Sequence, residues 1–136
     1  MLPTLAARGD LFLVERISAK LNSIRPGDVV VSLNPWDLAG KNGDTNLIVK
    51  RCLATEGQKV PISDNLFTKL IGKDLLSRFQ TPIPQNTLWL EGDNSGVSFD
   101  SRHMGPVPLS LVKGRAICTI YPSFKLLLGQ DLNRKQ

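Results

Sequence analysis

Long apolar runs are missing from this 136-residue sequence, and aromatic residues are scarce, at 6%. No apolar run reaches the roughly 18 residues that a membrane-spanning helix needs, and no secretory signal is visible at the start. The charges behind the net +5 are scattered singly and form no nucleic-acid-binding arm. Because single-strand binders rely on exposed stacking rings, a basic β-barrel that binds nucleic acid ranks last among our hypotheses, and we predict no nucleic-acid partner.

Histidine and cysteine, the usual zinc ligands, are also scarce. The chain has one histidine, His103, and two cysteines, Cys52 and Cys118. This composition argues against a zinc site of the Cys/His type, and we predict neither a metal nor a cofactor. Each cysteine lies in an apolar stretch, so we expect two small buried side chains, with a disulfide as the open alternative.

The alternating pattern typical of β-strands is abundant. It predicts strands over residues 10–16, 28–33, 46–53, 87–90 and 115–121, with a Pro-Gly turn at 25–28 before the second strand. Residues 64–79 instead place apolar side chains 3.6 residues apart, which predicts one inserted amphipathic helix, its apolar face between Leu66 and Phe79. We therefore predict a mostly β domain over residues 1–130, a polar tail at 131–136, and a helical turn at 109–112.

Lys50 lies in the middle of an otherwise apolar strand pattern. On an extended strand it shares a face with Ile48 and Cys52, while Arg51 faces the other way. One interpretation is that Lys50 and Arg51 mark the exposed end of the strand, with their charged groups in water. The other is that Lys50 is removed from water, which lowers its pKa and makes the amine a general base.

The segment 90–102 follows a predicted strand and is dense in turn-forming and hydrogen-bonding residues. Taken alone, it indicates either a polar hairpin loop or a hydroxyl-rich functional loop. Asp100 and Arg102 are two positions apart, so on an extended stretch they would share a face and pair, unless each meets a distant partner.

Four segments together resemble, in order and in amino-acid sequence, the conserved motifs of type I signal peptidases: residues 1–5, 25–30, 49–51 and 92–105. Within that family, segments 88–94 and 104–108 are most similar to the mitochondrial inner membrane peptidases. The sequence Asp100-Ser101-Arg102 favours the first of their two catalytic subunit types. The resemblance implies a signal-peptidase-type antiparallel sheet or barrel, and a home in the mitochondrial inner membrane, with a bacterial or plastid membrane as the alternative.

The same resemblance implies roles for individual residues. Members of this family cleave leader peptides from preproteins with a Ser/Lys pair, and Lys50 matches the general-base lysine. Ser98 matches the serine that orients this lysine. Four residues match family positions that line the pockets for the substrate side chains before the cleavage site: Met1, Leu5, Ile48 and Val49. Positions that hold the loop in shape match Asp93, Asp100 and Arg102.

The nucleophilic serine of the family corresponds to the position immediately before Met1, and the membrane anchor lies further upstream. The printed sequence holds neither, so we expect this polypeptide as written to lack peptidase activity. Two hypotheses follow: a membrane-bound leader peptidase that works alone or with a second subunit, or an inactive paralogue that serves as a binding subunit.

Overall fold

Seven strands pair into one antiparallel sheet in the part of the chain that the computed structural model describes, residues 9–36, 46–61, 72, 80–94 and 96–128. The strands are β1 (Leu11–Glu15), β2 (Val29–Leu33), β3 (Leu47–Thr55), β4 (Thr87–Glu91), β5 (Val107–Pro108), β6 (Val112–Tyr121) and β7 (Lys125–Leu126). Their order is β1-β6-β2-β3-β4-β5, and β7 also pairs with β6. The prediction of a mostly β fold is confirmed.

The predicted strands agree with the observed ones, although β6 begins three residues before the predicted start at 115. The two-residue strands β5 and β7 were not predicted, since two residues carry no alternating pattern. Two short helices, α1 (Ile17–Lys20) and α2 (Ser101–Met104), were also missed, and the predicted turn at 109–112 is a 3-10 helix, Leu109–Leu111.

The predicted helix at 64–79, apart from Gly72, and the tail at 131–136 lie outside the described residues. Among the described helices, none has both the length and the apolar character required to cross a membrane.

The turn at 25–28 leads directly into β2, the strand at the centre of the sheet. Gly27 takes a φ of 98°, which disfavours residues with a side chain, and the Asp28 carboxylate accepts a 2.9 Å hydrogen bond from the Arg25 N–H. The valine run that follows is buried because β2 lies between β6 and β3 and is covered on both faces.

Apolar side chains cover the sheet on both faces. One cluster comprises Ile24, Val30, Cys52, Leu88, Leu90, Val107 and Val112. The other comprises Val29, Ala116 and Leu127, with Phe12 and Val49 packed against it. Because successive strand residues face opposite sides, Val29 and Val30 belong to different clusters. Lys50 pairs with Val30 and so belongs to the face of the first cluster.

Both cysteines are buried and free, which confirms the predicted burial and removes the disulfide alternative. Burial raises the pKa of the Cys52 thiol to about 12, and the nearby Asp28 charge adds to this shift. Since the thiolate is the reactive form, Cys52 acts as a small core side chain and not as a nucleophile.

Candidate active site

Lys50 lies in the middle of β3, not at its end. The strand continues to Thr55, and Arg51, which follows Lys50, pairs with Val29 on β2 and with Glu91 on β4. Lys50 is half-buried, and Arg51 is only 8% exposed. The interpretation of these two cations as a solvated strand end is therefore wrong.

The amine of Lys50 meets the hydroxyl of Ser98, a residue 48 positions later in the chain. Lys50 Nζ donates a 2.8 Å hydrogen bond to Ser98 Oγ. A neutral lysine amine that donates one N–H in this way keeps its lone pair available to accept a proton. The structure thus brings together the two residues that the sequence predicts to be catalytic.

Burial is the main influence on the Lys50 amine and lowers its pKa. The negative charge of Asp100 opposes this shift, while the positive charge of Arg102 adds to it. The net result is a pKa below the ordinary lysine value, which increases the fraction of neutral amine near physiological pH. A neutral amine is the form that a general base requires.

Asp100 is the centre of the hydrogen-bond network behind Ser98. Its carboxylate is fully buried and accepts a 2.8 Å bond from the Gly92 N–H and bonds of 2.8 and 2.7 Å from Nε and Nη2 of Arg102. Burial alone would raise the pKa of Asp100, but the hydrogen bonds from Arg102, Gly92 and Ser98 outweigh it and hold the pKa well below its ordinary value. Asp100 is therefore a carboxylate at any pH at which Lys50 acts as a base.

The ion pair between Asp100 and Arg102 forms at a helix start, and not along the extended stretch considered from the sequence. Asp100 is the N-cap of α2, and its side chain accepts from the Arg102 N–H, while His103 Nδ1 lies 3.5 Å from the Asp100 N–H. Ser101 Oγ also accepts a 2.9 Å bond from the Leu90 N–H, which joins α2 to β4. The capping interactions fix Asp100 relative to the sheet.

Asp93 forms a separate ion pair with Arg51. The Arg51 guanidinium donates bonds of 2.8 and 2.9 Å to the two Asp93 oxygens, and its Nη1 donates a 2.8 Å bond to the Gly27 carbonyl. A planar guanidinium suits this forked arrangement. Arg51 thus links the strand of the lysine to the turn at 25–28 and to the loop that follows Gly92.

Gly92 lies against both catalytic candidates. A Cβ at this position would lie 2.6 Å from Ser98 Cβ, closer still to Ser98 Oγ, and 3.6 Å from Lys50 Nζ. Only a residue without a side chain leaves room for the contact between Lys50 and Ser98.

The predicted pocket-lining residues lie only partly within the described chain. Ile48 and Val49 are half-buried on β3, and Val49 packs against the cluster of Val29, Ala116 and Leu127. Ile48 lies on the face of Lys50 and Val49 on the other. Met1 and Leu5 lie outside the described residues.

Sequence reasoning missed the structural roles of Arg51, Gly92 and His103. A signal for Arg51 was available, because a guanidinium in an apolar strand requires a buried partner. Gly92 was not distinguishable from an ordinary turn glycine, and His103 is an atypical capping-box residue. In the described segments, no three His, Cys, Asp or Glu side chains come together as potential metal ligands.

Because the pKa of Asp100 is lowered in the folded chain, the free energy of unfolding depends on pH in the acid range. A carboxyl group whose pKa is lower in the folded than in the unfolded chain stabilises the fold above the unfolded value of about 3.9. This contribution is lost as the pH falls through the folded pKa. We expect the free energy of unfolding to decrease below about pH 4, and Asp100→Asn to remove this part of the decrease. Urea denaturation of both proteins from pH 2 to 7 measures it, and parallel curves would contradict the prediction.

Comparison with known families agrees with this geometry. The profile of the family described as "Signal peptidase, peptidase S26" matches residues 1–74 and 68–121. Together these matches span the Lys50 strand and the whole loop from Gly92 to Arg102. The chain belongs to this family of signal peptidases.

Individual relatives narrow the resemblance to mitochondrial proteins. The chain is 37% identical over 122 residues to an Arabidopsis thaliana protein named mitochondrial ATP-independent inner membrane protease subunit 1a. It is 35% identical over 113 residues to mitochondrial inner membrane protease subunit 1 of Xenopus tropicalis. It is also 37% identical over 114 residues to subunit 2 of the same protease from Danio rerio. These names confirm the predicted resemblance and the predicted localisation at the mitochondrial inner membrane.

The alignments cover more of this chain than of its relatives. They include 90%, 83% and 83% of this chain, but 66%, 59% and 52% of the Arabidopsis, Xenopus and Danio proteins. The chain therefore spans between about half and two thirds of their lengths.

Proposed function

We propose that this chain is the catalytic domain of a membrane-bound serine endopeptidase that removes leader peptides from preproteins at the mitochondrial inner membrane. Lys50 is its general base, and Ser98 orients the Lys50 amine. The nucleophilic serine belongs immediately before Met1, outside the printed sequence, as the resemblance to signal peptidases implies.

One observation carries this proposal: the 2.8 Å hydrogen bond from a half-buried Lys50 Nζ to Ser98 Oγ. Ion pairs that serve only stability involve two opposite charges, but here the amine meets a neutral hydroxyl. Burial next to a neutral partner favours the neutral amine, and perturbed amines of this kind are typical of functional sites.

The reaction follows from these protonation states. The serine hydroxyl attacks the scissile carbonyl to form a tetrahedral intermediate, which becomes the leader ester when the amine departs, while the serine proton passes to the Lys50 lone pair. Lys50 then delivers that proton to the departing amine, which breaks the peptide bond and restores the neutral lysine. A water molecule, deprotonated by Lys50 in the same way, hydrolyses the ester, frees the leader carboxylate and returns the serine hydroxyl.

The edge of β3 beside Lys50 supports a path for the substrate. Among the described residues, Leu47–Lys50 pair with β2 on one side, whereas the pairing of β3 with β4 begins at Arg51. The other side of Leu47–Lys50 is therefore suited to an added strand, with the leader running beside Ile48 and ending at the Lys50 amine. We infer that Ile48 and Val49 line the pockets for the residues before the cut, and Met1 and Leu5, which match family positions of the same kind, lie outside the described residues.

The proposed protein works as part of an assembly. Relatives are named subunits 1 and 2 of one protease, and this chain resembles both kinds. We infer that the complete protein is anchored in the membrane and works with a second peptidase subunit.

The test uses an extended enzyme: this chain preceded directly by a serine and, before it, by the segment that precedes the corresponding position in the Arabidopsis relative. Incubated in detergent with a mitochondrial preprotein, it is expected to release the leader. The matched control replaces the added serine with alanine. Cleavage should increase with pH as Lys50 loses its proton, and the midpoint should lie below the ordinary lysine pKa of about 10.4.

The outcomes separate the two hypotheses. Cleavage that depends on the added serine supports the peptidase. A folded extended enzyme that binds the preprotein without cutting it would contradict the proposal and favour the inactive paralogue.

A further inference from the structure

Ser98 lies on a segment of the loop with little apolar cover. Val97 before it is 82% exposed and Phe99 after it is 54% exposed. The Val97 N–H is 3.4 Å from the Asn94 carbonyl, a long hydrogen bond. The Ser98 side chain hydrogen-bonds to Lys50 Nζ and to Asp100, but the backbone that directs it towards them needs an anchor of its own.

Three aromatic rings meet at the residue after Ser98. The Phe99 ring stacks on His103, with centroids 5.1 Å apart and an interplanar angle of 19°. Its centroid also lies 6.3 Å from that of Trp36, at an edge-to-face angle of 74°. Both arrangements are favourable geometries for aromatic pairs.

The two partners of Phe99 belong to different elements. Trp36 follows the end of β2, where its backbone N–H donates a 3.1 Å hydrogen bond to Asn34 Oδ1. His103 belongs to α2 and lies beside the Asp100 backbone as part of the capping box. Phe99 thus connects the Ser98 segment to the turn after the central strand and to the helix that carries the Asp100–Arg102 pair.

The residues on either side of Phe99 belong to the hydrogen-bond network that contacts the amine. Ser98 contacts Lys50, and the fully buried Asp100 lies behind it. Phe99, between them, extends to Trp36 and His103 instead. Contacts that hold the Phe99 ring also limit rotation of the backbone between Phe99 and Ser98. This backbone directs the Ser98 hydroxyl towards Lys50.

We propose that Phe99, held between Trp36 and His103, is a positioning residue that keeps Ser98 in contact with Lys50. This inference rests on the proposed function of Lys50 and Ser98. It assigns a role to an exposed aromatic cluster that the substrate path along β3 does not use.

The first test is Phe99→Ala in the extended enzyme. Misplacing a catalytic contact slows the reaction itself, so we expect kcat to fall about 10-fold while KM stays unchanged. Phe99→Tyr keeps the stacked ring and should restore kcat. The matched control is Val97→Ala, which alters the other neighbour of Ser98 at a side chain that is 82% exposed, and it should leave kcat unchanged. Circular dichroism melting checks that each variant is folded.

The second test is a double-mutant cycle with Ser98→Ala. If Phe99 acts through Ser98, adding Phe99→Ala to the Ser98→Ala enzyme should cause no further loss of kcat. An additional 10-fold loss in that background would overturn the proposal. So would a higher KM with unchanged kcat in Phe99→Ala, which would show that the rings bind substrate instead.

These outcomes are distinguishable from failure of the proposed function. If Lys50→Ala leaves cleavage intact, Lys50 is not the base and the proposed function itself is wrong. If Lys50→Ala abolishes cleavage but Phe99→Ala and Trp36→Ala both leave kcat unchanged, only the positioning role is wrong.

Discussion

Replacing Lys50 with alanine is expected to reduce leader cleavage by the extended enzyme by a factor on the order of 10⁴, at the upper end of what a general base contributes. The reason is that the Lys50 amine, held 2.8 Å from Ser98 Oγ, is the proposed acceptor of the nucleophile's proton, whereas the Asp100 carboxylate beside Ser98 has a lowered pKa and is a weak base. The fold should be retained, because the variant removes a half-buried charge and leaves no carboxylate unpaired. Cleavage rates and thermal melting of the same preparations measure both effects.

Two controls identify the cause of this loss. Lys50→Arg keeps a positive charge that does not release its proton, so it should be as inactive as Lys50→Ala. Lys113→Ala removes an exposed lysine on β6 and should cleave at the normal rate. Undiminished cleavage by Lys50→Ala would remove Lys50 from the mechanism.

The second large effect is expected for Gly92→Ala. The added Cβ would overlap the Ser98 side chain and lie 3.6 Å from Lys50 Nζ, so Ser98 must move away from the amine. Displacement of a catalytic group by about 1 Å costs roughly 10²-fold in rate, and we expect a loss of that size in kcat. Steady-state cleavage kinetics of the extended enzyme measure it.

Gly96→Ala is the matched control in the same loop. Among the described residues, the nearest neighbour of a Cβ at Gly96 would be Asn94 Oδ1 at 3.8 Å, which is an ordinary contact. This variant should therefore cleave normally. Equal activity in Gly92→Ala and Gly96→Ala would mean that the close packing around Ser98 does not matter for catalysis.

The strands were predictable from sequence because each has its own local signal. The period-two pattern predicted both β1 and the central strand β2. The turn before β2 was predictable for the same reason, since Gly27 follows Pro26. Strands of two residues carry no such signal.

The meeting of Lys50 with Ser98 was not predictable from periodicity. The two residues lie 48 positions apart, and no local pattern specifies which loop packs against which strand. The resemblance to signal peptidases supplied that pairing. Without it, the polar segment 90–102 indicated only a loop. The apolar strand indicated that the Arg51 guanidinium needs a buried partner, but not that this partner is Asp93.

Burial of charged groups explains why the interpretation of Lys50 and Arg51 as an exposed strand end was wrong. An apolar strand with two adjacent cations has two physical solutions: exposure of the charges, or burial with suitable partners. Arg51 takes the second solution with Asp93 and the Gly27 carbonyl. Lys50 takes it with the hydroxyl of Ser98, which is what makes the site chemically useful.

The protonation of Lys50 is the most direct test of this account. Heteronuclear NMR of the chain labelled with ¹³C and ¹⁵N in its lysines follows each Nζ group through a pH titration, and Lys50→Arg assigns the signal. We predict that Lys50 releases its proton below the ordinary value of about 10.4, because burial disfavours the ammonium form. An Nζ that titrates at the ordinary value, as an ammonium in bulk water does, would contradict the central claim.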